Sequence, residues 1–591
     1  MGELLSLRGL SFLAVSSLLL TACPLTTFEV EREGGTGGTS TVPPSSGGSS
    51  GAISSTGGVG GAPRITVPPK TLPDRYVMRQ GEQLSIPAPG VLANDTPSEL
   101  RVVRTSEVRG TRPTAYDAEL ARIRADGSLE FIPERRFFGV YRLEYVVQGS
   151  EGQQEKGTVE IHVAPTDIDL ADVAAGLGGF VLSGSRGEGL GFVLDRAGDV
   201  NRDGLADLIV GAPDARDGEG NAYLVFGRAE LESVPVSDFP SAEAVQRYAV
   251  LRGGAGAAAG RSVSGISDID GDGTADVAVG APGGAGRAYL VRTSGLEGTV
   301  DLDEMGSERG IILEGGVDTE ALGSLVRGLG DVTGDGTPDV AVTSRTNGAS
   351  AVHVVSGSSV LAGGLLQDAP LLLSSEWGTD PPRALAGVGD VNGDGLGDVL
   401  AASDANILLI HGGAELPQDS SLVSLDGSAY GYRLARVFPA AGASVAALGD
   451  VDGNGPRDIV YCEAASYCRV VFGPPSTLAT GWTLSGFDDE ATRVLVSAMG
   501  DVDGDRVSDL VLAEETMAHV VFGKRGDFSE LSLRASSSAR YRVRVPKGGT
   551  ITAVALVGDM NGDRLADLAV ADATANRGAG RVYIVFGVAS R

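Results

Sequence analysis

A nine-residue, aspartate-rich pattern occurs seven times in the last two-thirds of this 591-residue chain, starting at Asp199, Asp268, Asp331, Asp390, Asp450, Asp501 and Asp559. Its 51–69-residue spacing marks one supersecondary unit repeated in series. Each unit also holds four short apolar segments bounded by glycine turns, and a region of alternating polar and apolar residues precedes the first copy. Together these predict an all-β chain: a seven-bladed β-propeller over 177–591, preceded by a small β-sandwich over 68–165.

The N-terminus reads as an export signal over 1–22. Arg8 precedes the apolar run Leu10–Leu20, which is too short to span a bilayer. The run ends in Leu20-Thr21-Ala22-Cys23, which resembles a bacterial lipobox. That resemblance implies cleavage before Cys23 and lipidation of its sulfur. Pro24 follows in place of an aspartate that would signal inner-membrane retention, so the expected location is the outer membrane or cell surface. Residues 23–67 then form a Gly/Ser/Thr/Pro-rich tether, as in Glu33-Gly34-Gly35-Thr36-Gly37-Gly38, with too few apolar groups to bury a core. Its richest part, 31–67, holds about thirty-five such residues and would reach roughly 30–35 Å.

In the sandwich region Thr158-Val159-Glu160-Ile161-His162-Val163 alternates, which predicts a strand with one buried face and His162 on the polar one. Leu129–Ile132 and Tyr141–Val147 read as further strands. Gly90-Val91-Leu92-Ala93-Asn94-Asp95-Thr96, Asp126-Gly127-Ser128-Leu129 and Phe138-Gly139-Val140-Tyr141 resemble bacterial cadherin-like or Ig-like tandem domains. The acidic run that often follows Asn-Asp-Thr in such domains is absent, so no calcium site is expected there. The expected role is a spacer.

In the first repeat unit a strand over Leu190–Ala197 leads into the aspartate loop. Leu208–Val210, Asn221–Gly227 and Tyr248–Gly253 supply the other three strands. The third strand recurs at Arg287–Val291, Val352–Ser356, Ile407–His411, Arg469–Gly473, His519–Gly523 and Arg581–Gly587. The chain reaches Arg591 just after the third strand of the last unit, whereas a spare strand, Gly179-Phe180-Val181-Leu182-Ser183, lies before the first. That segment is expected to complete the seventh blade.

The loops carry oxygen at positions 1, 3, 5 and 9 and a carbonyl at position 7. Calcium takes six to eight oxygens, and alternating carboxylates can wrap one ion. The donors are Asp199, Asn201, Asp203, Leu205 and Asp207 in the first loop, and Asp268, Asp270, Asp272, Thr274 and Asp276 in the second. The third offers Asp331, Thr333, Asp335, Thr337 and Asp339; the fourth, Asp390, Asn392, Asp394, Leu396 and Asp398. The fifth has Asp450, Asp452, Asn454, Pro456 and Asp458; the sixth, Asp501, Asp503, Asp505, Val507 and Asp509; the seventh, Asp559, Asn561, Asp563, Leu565 and Asp567. Up to seven calcium ions are expected, one per blade.

Position 6 is glycine in the first five loops, permitting a positive φ. Arg506 and Arg564 replace it in the last two, at a cost of roughly 1–2 kcal/mol if that conformation is kept. Thr333 is a weak donor, so loops one, two, four and five are expected to bind best. An EF-hand is excluded: position 12 is Val210, Val279, Val342, Ala401, Tyr461, Leu512 and Val570, never glutamate. The net charge of −30 fits the same reading, since loop positions 1, 3, 5 and 9 hold 23 aspartates that bound cations would neutralise. Nucleic acid is disfavoured as a partner.

Gly198-Asp199-Val200-Asn201-Arg202-Asp203-Gly204-Leu205-Ala206-Asp207-Leu208-Ile209-Val210-Gly211-Ala212-Pro213 and Asp268–Pro282 resemble the FG-GAP repeats of integrin α-subunit propellers. The resemblance covers roughly 177–591 and implies calcium in the hairpin between the first and second strands of a blade. The Gly-Ala-Pro ending persists only in the first two units, which puts an integrin-type ligand surface in doubt.

Cys462 and Cys468 fall in adjacent strands of the fifth unit and are expected to form a disulfide in an oxidising compartment. The four histidines, His162, His353, His411 and His519, have no sequence neighbour at metal or triad spacing, and no nucleophile elbow or phosphate loop is visible. Arg525-Gly526-Asp527 is read as a chance occurrence. The expected function is a surface-anchored, calcium-binding module for a protein or glycan ligand. The alternatives are a polysaccharide-active enzyme with its site in the propeller channel, or a structural envelope protein. Aromatics make up 5% of the chain, which weighs against a sugar-binding face.

Overall fold

β-Branched and aromatic residues separated by Gly/Asp turns give almost entirely strand structure. The computed structural model describes residues 68–589 with interruptions, the longest at 236–245, 359–370, 373–381 and 417–430. Cys23, the tether and Arg525-Gly526-Asp527 lie outside the described residues. The described residues belong to one compact unit, Thr66–Arg591.

Residues 74–164 form two sheets. One runs Asp74–Arg79, Gln154–Ala164, Gly139–Gln148, Arg101–Thr105; the other runs Leu84–Ile86, Leu129–Ile132, Leu120–Ile123. Val159, Ile161 and Val163 are fully buried, as their alternation predicts. His162 departs from expectation: it is buried too, because its strand is central, flanked by Asp74–Arg79 and Gly139–Gln148. Burial, with Arg75 beside it, pushes its imidazole down to about 4, so it is neutral near pH 7.

Each repeat unit supplies an antiparallel sheet. Sheet 1 is Val193–Gly198, Asp207–Ala212, Asn221–Val225, Tyr248–Arg252, so its first strand starts three residues later than expected. The first strands of sheets 2 to 7 are Ser262–Ser267, Val326–Gly330, Ala384–Gly389, Ser444–Ala447, Leu495–Gly500 and Ala553–Gly558. These first strands abut one another in sequence order, and that of sheet 7 lies against that of sheet 1. Apolar cores fill the spaces between consecutive sheets: Val210, Tyr223 and Ala569 between 7 and 1, for instance, and Ile209, Leu224 and Val277 between 1 and 2. In six of the sheets a β-bulge immediately precedes the aspartate loop, as between Arg196 and Gly198. Bulges of this kind turn the chain out of the sheet and aim the loop.

Gly179–Ser183 pairs antiparallel with Arg581–Val585 as the fourth strand of sheet 7, so a segment from before the repeats completes the last one. A further feature was not visible in the sequence. In the first, second and sixth units the connection between third and fourth strands adds a parallel strand to the preceding sheet. Thr299–Asp301 lies along Tyr248–Arg252, Glu530–Ser532 along Thr483–Ser485, and Val234–Pro235 along Gly179–Ser183. Asp167–Asp169 does the same for sheet 6, pairing with Arg540–Arg544, and Arg542 grips Asp167 through both oxygens at 2.6 and 2.7 Å.

This strap also ties the sandwich to the repeats. The helix Leu170–Ala174 follows at once, capped by Asp169, and Ile168, Leu170, Val173 and Leu177 join Phe138 and Tyr141 of the sandwich to the core between sheets 6 and 7. Phe138 packs against Gly178, where a Cβ would fall about 2.1 Å from its ring. The sandwich is therefore continuous in packing with the repeats.

Cys462 and Cys468 are opposite one another across the second and third strands of sheet 5 and are joined as a disulfide, fully buried. Intact-mass analysis of unfolded protein is expected to show two added hydrogens on reduction; an unchanged mass would contradict the bond. A chain starting at Thr166 keeps the strap and closing strand, whereas one starting at Glu188 loses both. Thermal melting should place the second well below the first. Equal melting of the two would refute the closing role.

Candidate metal loops

The loop pattern folds into a set of turns built on its own carboxylates. Asp268 at position 1 accepts from the N–H groups of Gly271 and Asp272 on one oxygen and of Gly273 on the other, at 2.7–3.1 Å. Asp331, Asp390, Asp501 and Asp559 repeat this arrangement. The N–H of position 7 (Leu205, Thr274, Thr337, Leu396, Val507, Leu565) donates to the position-5 aspartate. Such side-chain turns hold a loop without a sheet ladder.

Two positions require left-handed backbone. Position 6 has it in all seven loops, including Arg506 at φ 67° and Arg564 at φ 71°. Position 4 has it too in the six loops where that residue is described, which the sequence reading missed. There Gly504 and Gly562 sit at 85°, whereas Arg202 carries it at 60° in loop one. Each arginine at one of these positions is accompanied by glycine at the other.

Position 9 is the most buried group of the motif. Asp207, Asp339, Asp398, Asp458, Asp509 and Asp567 are completely buried and Asp276 nearly so. Asp207 accepts from Val200 N–H at 2.7 Å and from Gly227 N–H, just past the third strand, at 2.7 Å. The same two-point clamp joins Asp276 to Ile269 and Thr293, Asp458 to Val451 and Gly473, Asp509 to Val502 and Gly523, and Asp567 to Met560 and Gly587. Burial raises the carboxyls of Asp207, Asp276 and Asp458 to about 7 and that of Asp509 to about 8, neighbouring aspartates adding to the effect.

In loops two, five and six the oxygens at positions 1, 3 and 9 converge. Asp268, Asp270 and Asp276; Asp450, Asp452 and Asp458; and Asp501, Asp503 and Asp509 each offer oxygens within 4.8 Å of one another. That is about twice a calcium–oxygen bond, so one ion can touch all three, and a hard all-oxygen donor set suits it. These are the loops with aspartate at position 3. Where asparagine stands there, its amide donates instead to the position-5 carboxylate, as from Asn201 to Asp203 and Asn392 to Asp394. Thr333 turns inward to Asp339. The position-5 aspartates Asp272 and Asp505 stand outside the three-carboxylate groups, and Asn454 lies outside the described residues.

The FG-GAP repeat family matches residues 196–225 and 259–291, and the bacterial Ig domain family matches 66–162. The chain carries FG-GAP repeats. Integrin alpha-5 of Xenopus laevis is 32% identical over 25% of this chain and 14% of its own length, and integrin alpha-PS5 of Drosophila melanogaster 41% identical over 18% and 10%. Integrin alpha pat-2 of Caenorhabditis briggsae is 28% identical over 40% of the chain and 20% of itself. The chain thus spans a fifth or less of these curated relatives.

The histidines have partners that sequence spacing could not reveal. His353 meets Ser344 at 2.8 Å, His519 meets Arg540 at 3.0 Å, and His411 meets Asp398 at 3.2 Å. They lie in three different sheets.

In chelator, Asp207→Ala leaves two buried N–H groups unpaired and should cost about 2–4 kcal/mol by denaturant unfolding; a loss under ~0.5 kcal/mol would contradict the clamp. The Asp509 carboxyl is raised to about 8 in the folded chain from an unfolded value near ~3.9. Across that interval the folded state keeps a proton that the unfolded state has lost, so metal-free stability falls as pH climbs from about 4 to about 8. The parent's stability lead over Asp509→Asn should therefore shrink over this range in chelator, and would hold in calcium with an ion beside the ionised carboxylate. A lead independent of pH in chelator would contradict it.

Proposed function

We propose that the seven sheets are the blades of a closed propeller, and that the chain is an exported, lipid-anchored, calcium-binding module that holds a protein or glycan ligand at the outer membrane or cell surface. The observation that carries this is the convergence of three carboxylates in each of loops two, five and six. The FG-GAP repeats and the similarity to integrin α chains support it. Residues that would hold the ion are those at positions 1, 3 and 9, with the position-5 side chain and position-7 carbonyl drawn in on binding. Bound calcium supplies charge neutralisation: it would let the buried position-9 carboxylate ionise and fix the hairpins from which the blade loops spring. Cys23 would carry the lipid and residues 23–67 the reach from the membrane.

The test is a screen of residues 66–591 against glycans, matrix proteins and envelope components, with calcium and with chelator. A ligand captured only in calcium is the expected result. A folded, calcium-loaded sample that captures none of them would overturn the binding-module reading.

A further inference from the structure

The residue just before the second clamp donor of position 9 is phenylalanine in four units: Phe226, Phe472, Phe522 and Phe586 precede Gly227, Gly473, Gly523 and Gly587. In units two, three and four the equivalent residues, identified by the same hydrogen-bond register, are Arg292, Ser356 and His411. All three polar replacements reach into the aspartate loop of their own unit. Arg292 Nε lies 3.2 Å from Asp270, the Ser356 hydroxyl donates to Asp335, and His411 Nδ1 lies 3.2 Å from Asp398.

Loop two is one of the three loops that bring a trio of aspartates together. At the same register loop two has Arg292, whereas loops five and six have Phe472 and Phe522, which pack on Trp482 and Tyr541. Arg292 is anchored on its other side by a bond from Nη1 to the Ser307 carbonyl at 3.2 Å. Asp270 has its second oxygen on the Asp272 N–H at 3.1 Å. Both oxygens of this position-3 carboxylate are therefore engaged, one of them by a fixed positive charge. The side chains of Arg292 and Asp270 are only 24% and 18% exposed, so water screens the pair incompletely. Arg202 of loop one adds a second, more exposed guanidinium on Asp272 at 3.2 Å.

We propose that Arg292 is a tethered counter-ion of loop two: it supplies part of the charge that a bound cation would, so loop two takes up calcium more weakly, and depends on it less for stability, than it would without Arg292. This places loop two lower than its four aspartates alone would. It rests on the calcium reading above, and it concerns the chain's own residues rather than the ion's coordination.

The test compares parent, Arg292→Phe, Arg292→Gln and Arg292→Lys in the full exported chain by calcium titration and by thermal melting in calcium and in chelator. With Phe or Gln, one step of the calcium isotherm should move to lower free calcium on the order of tenfold. The melting temperature should fall in chelator and recover in calcium. Lys, which keeps the charge, should stay near the parent, and Asp270→Asn should abolish the effect of Arg292→Phe. A merely structural Arg292 would lower stability equally with and without calcium and leave the isotherm in place, which would overturn the inference. So would a shift to weaker binding. A parent that takes up no calcium at all would instead overturn the metal reading, and this inference with it.

Discussion

Every repeat unit depends on one buried carboxylate. The position-9 aspartate begins the second strand of its sheet, yet it reaches back to the loop through one N–H and forward to the end of the third strand through another. Three segments distant in sequence are thereby fixed at one point. A charge placed so deep is costly unless it is neutralised or paired. The fold offers two N–H donors, which satisfy the hydrogen bonds but leave the charge uncompensated, and burial accordingly raises the carboxyls of Asp207, Asp276, Asp458 and Asp509. A cation beside positions 1 and 3 would complete the compensation. Structure and metal reading meet in this single constraint.

The same logic explains why the loops differ. Where position 3 is aspartate, three carboxylates converge; where it is asparagine, an amide donor turns toward position 5 and relieves part of the repulsion internally. Arg292 goes further and places a full charge against the trio. The repeats are thus alike in backbone and graded in electrostatics.

Much of this was legible in the sequence because it is local. The nine-residue pattern, its period, the strand segments and the spare strand Gly179–Ser183 could all be read from residue type and spacing. What escaped reading depends on contacts between distant segments. That position 9 is a clamp as well as a candidate ligand emerges only when Gly227 or Gly523 folds back onto it. The left-handed backbone at position 4 is masked in loop one by Arg202. The parallel strands such as Thr299–Asp301 are too short to carry an alternation signal, and their pairing is set by the neighbouring sheet. His162 reads as a polar-face residue in its own strand and is buried by the strands on either side. Likewise, the packing of the sandwich against sheets 6 and 7 runs through Ile168, Leu170 and Val173, a stretch whose brevity reads as a linker.

The central claim is that the aspartate loops are cation sites whose filling stabilises the blades. Equilibrium dialysis of the metal-stripped chain against calcium, with the bound ions counted per chain, tests it most directly. The account predicts uptake of several ions, with Asp270→Asn, Asp452→Asn and Asp503→Asn combined removing the binding of loops two, five and six. Uptake of no calcium by a folded chain, or a count unchanged in the triple variant, would contradict it.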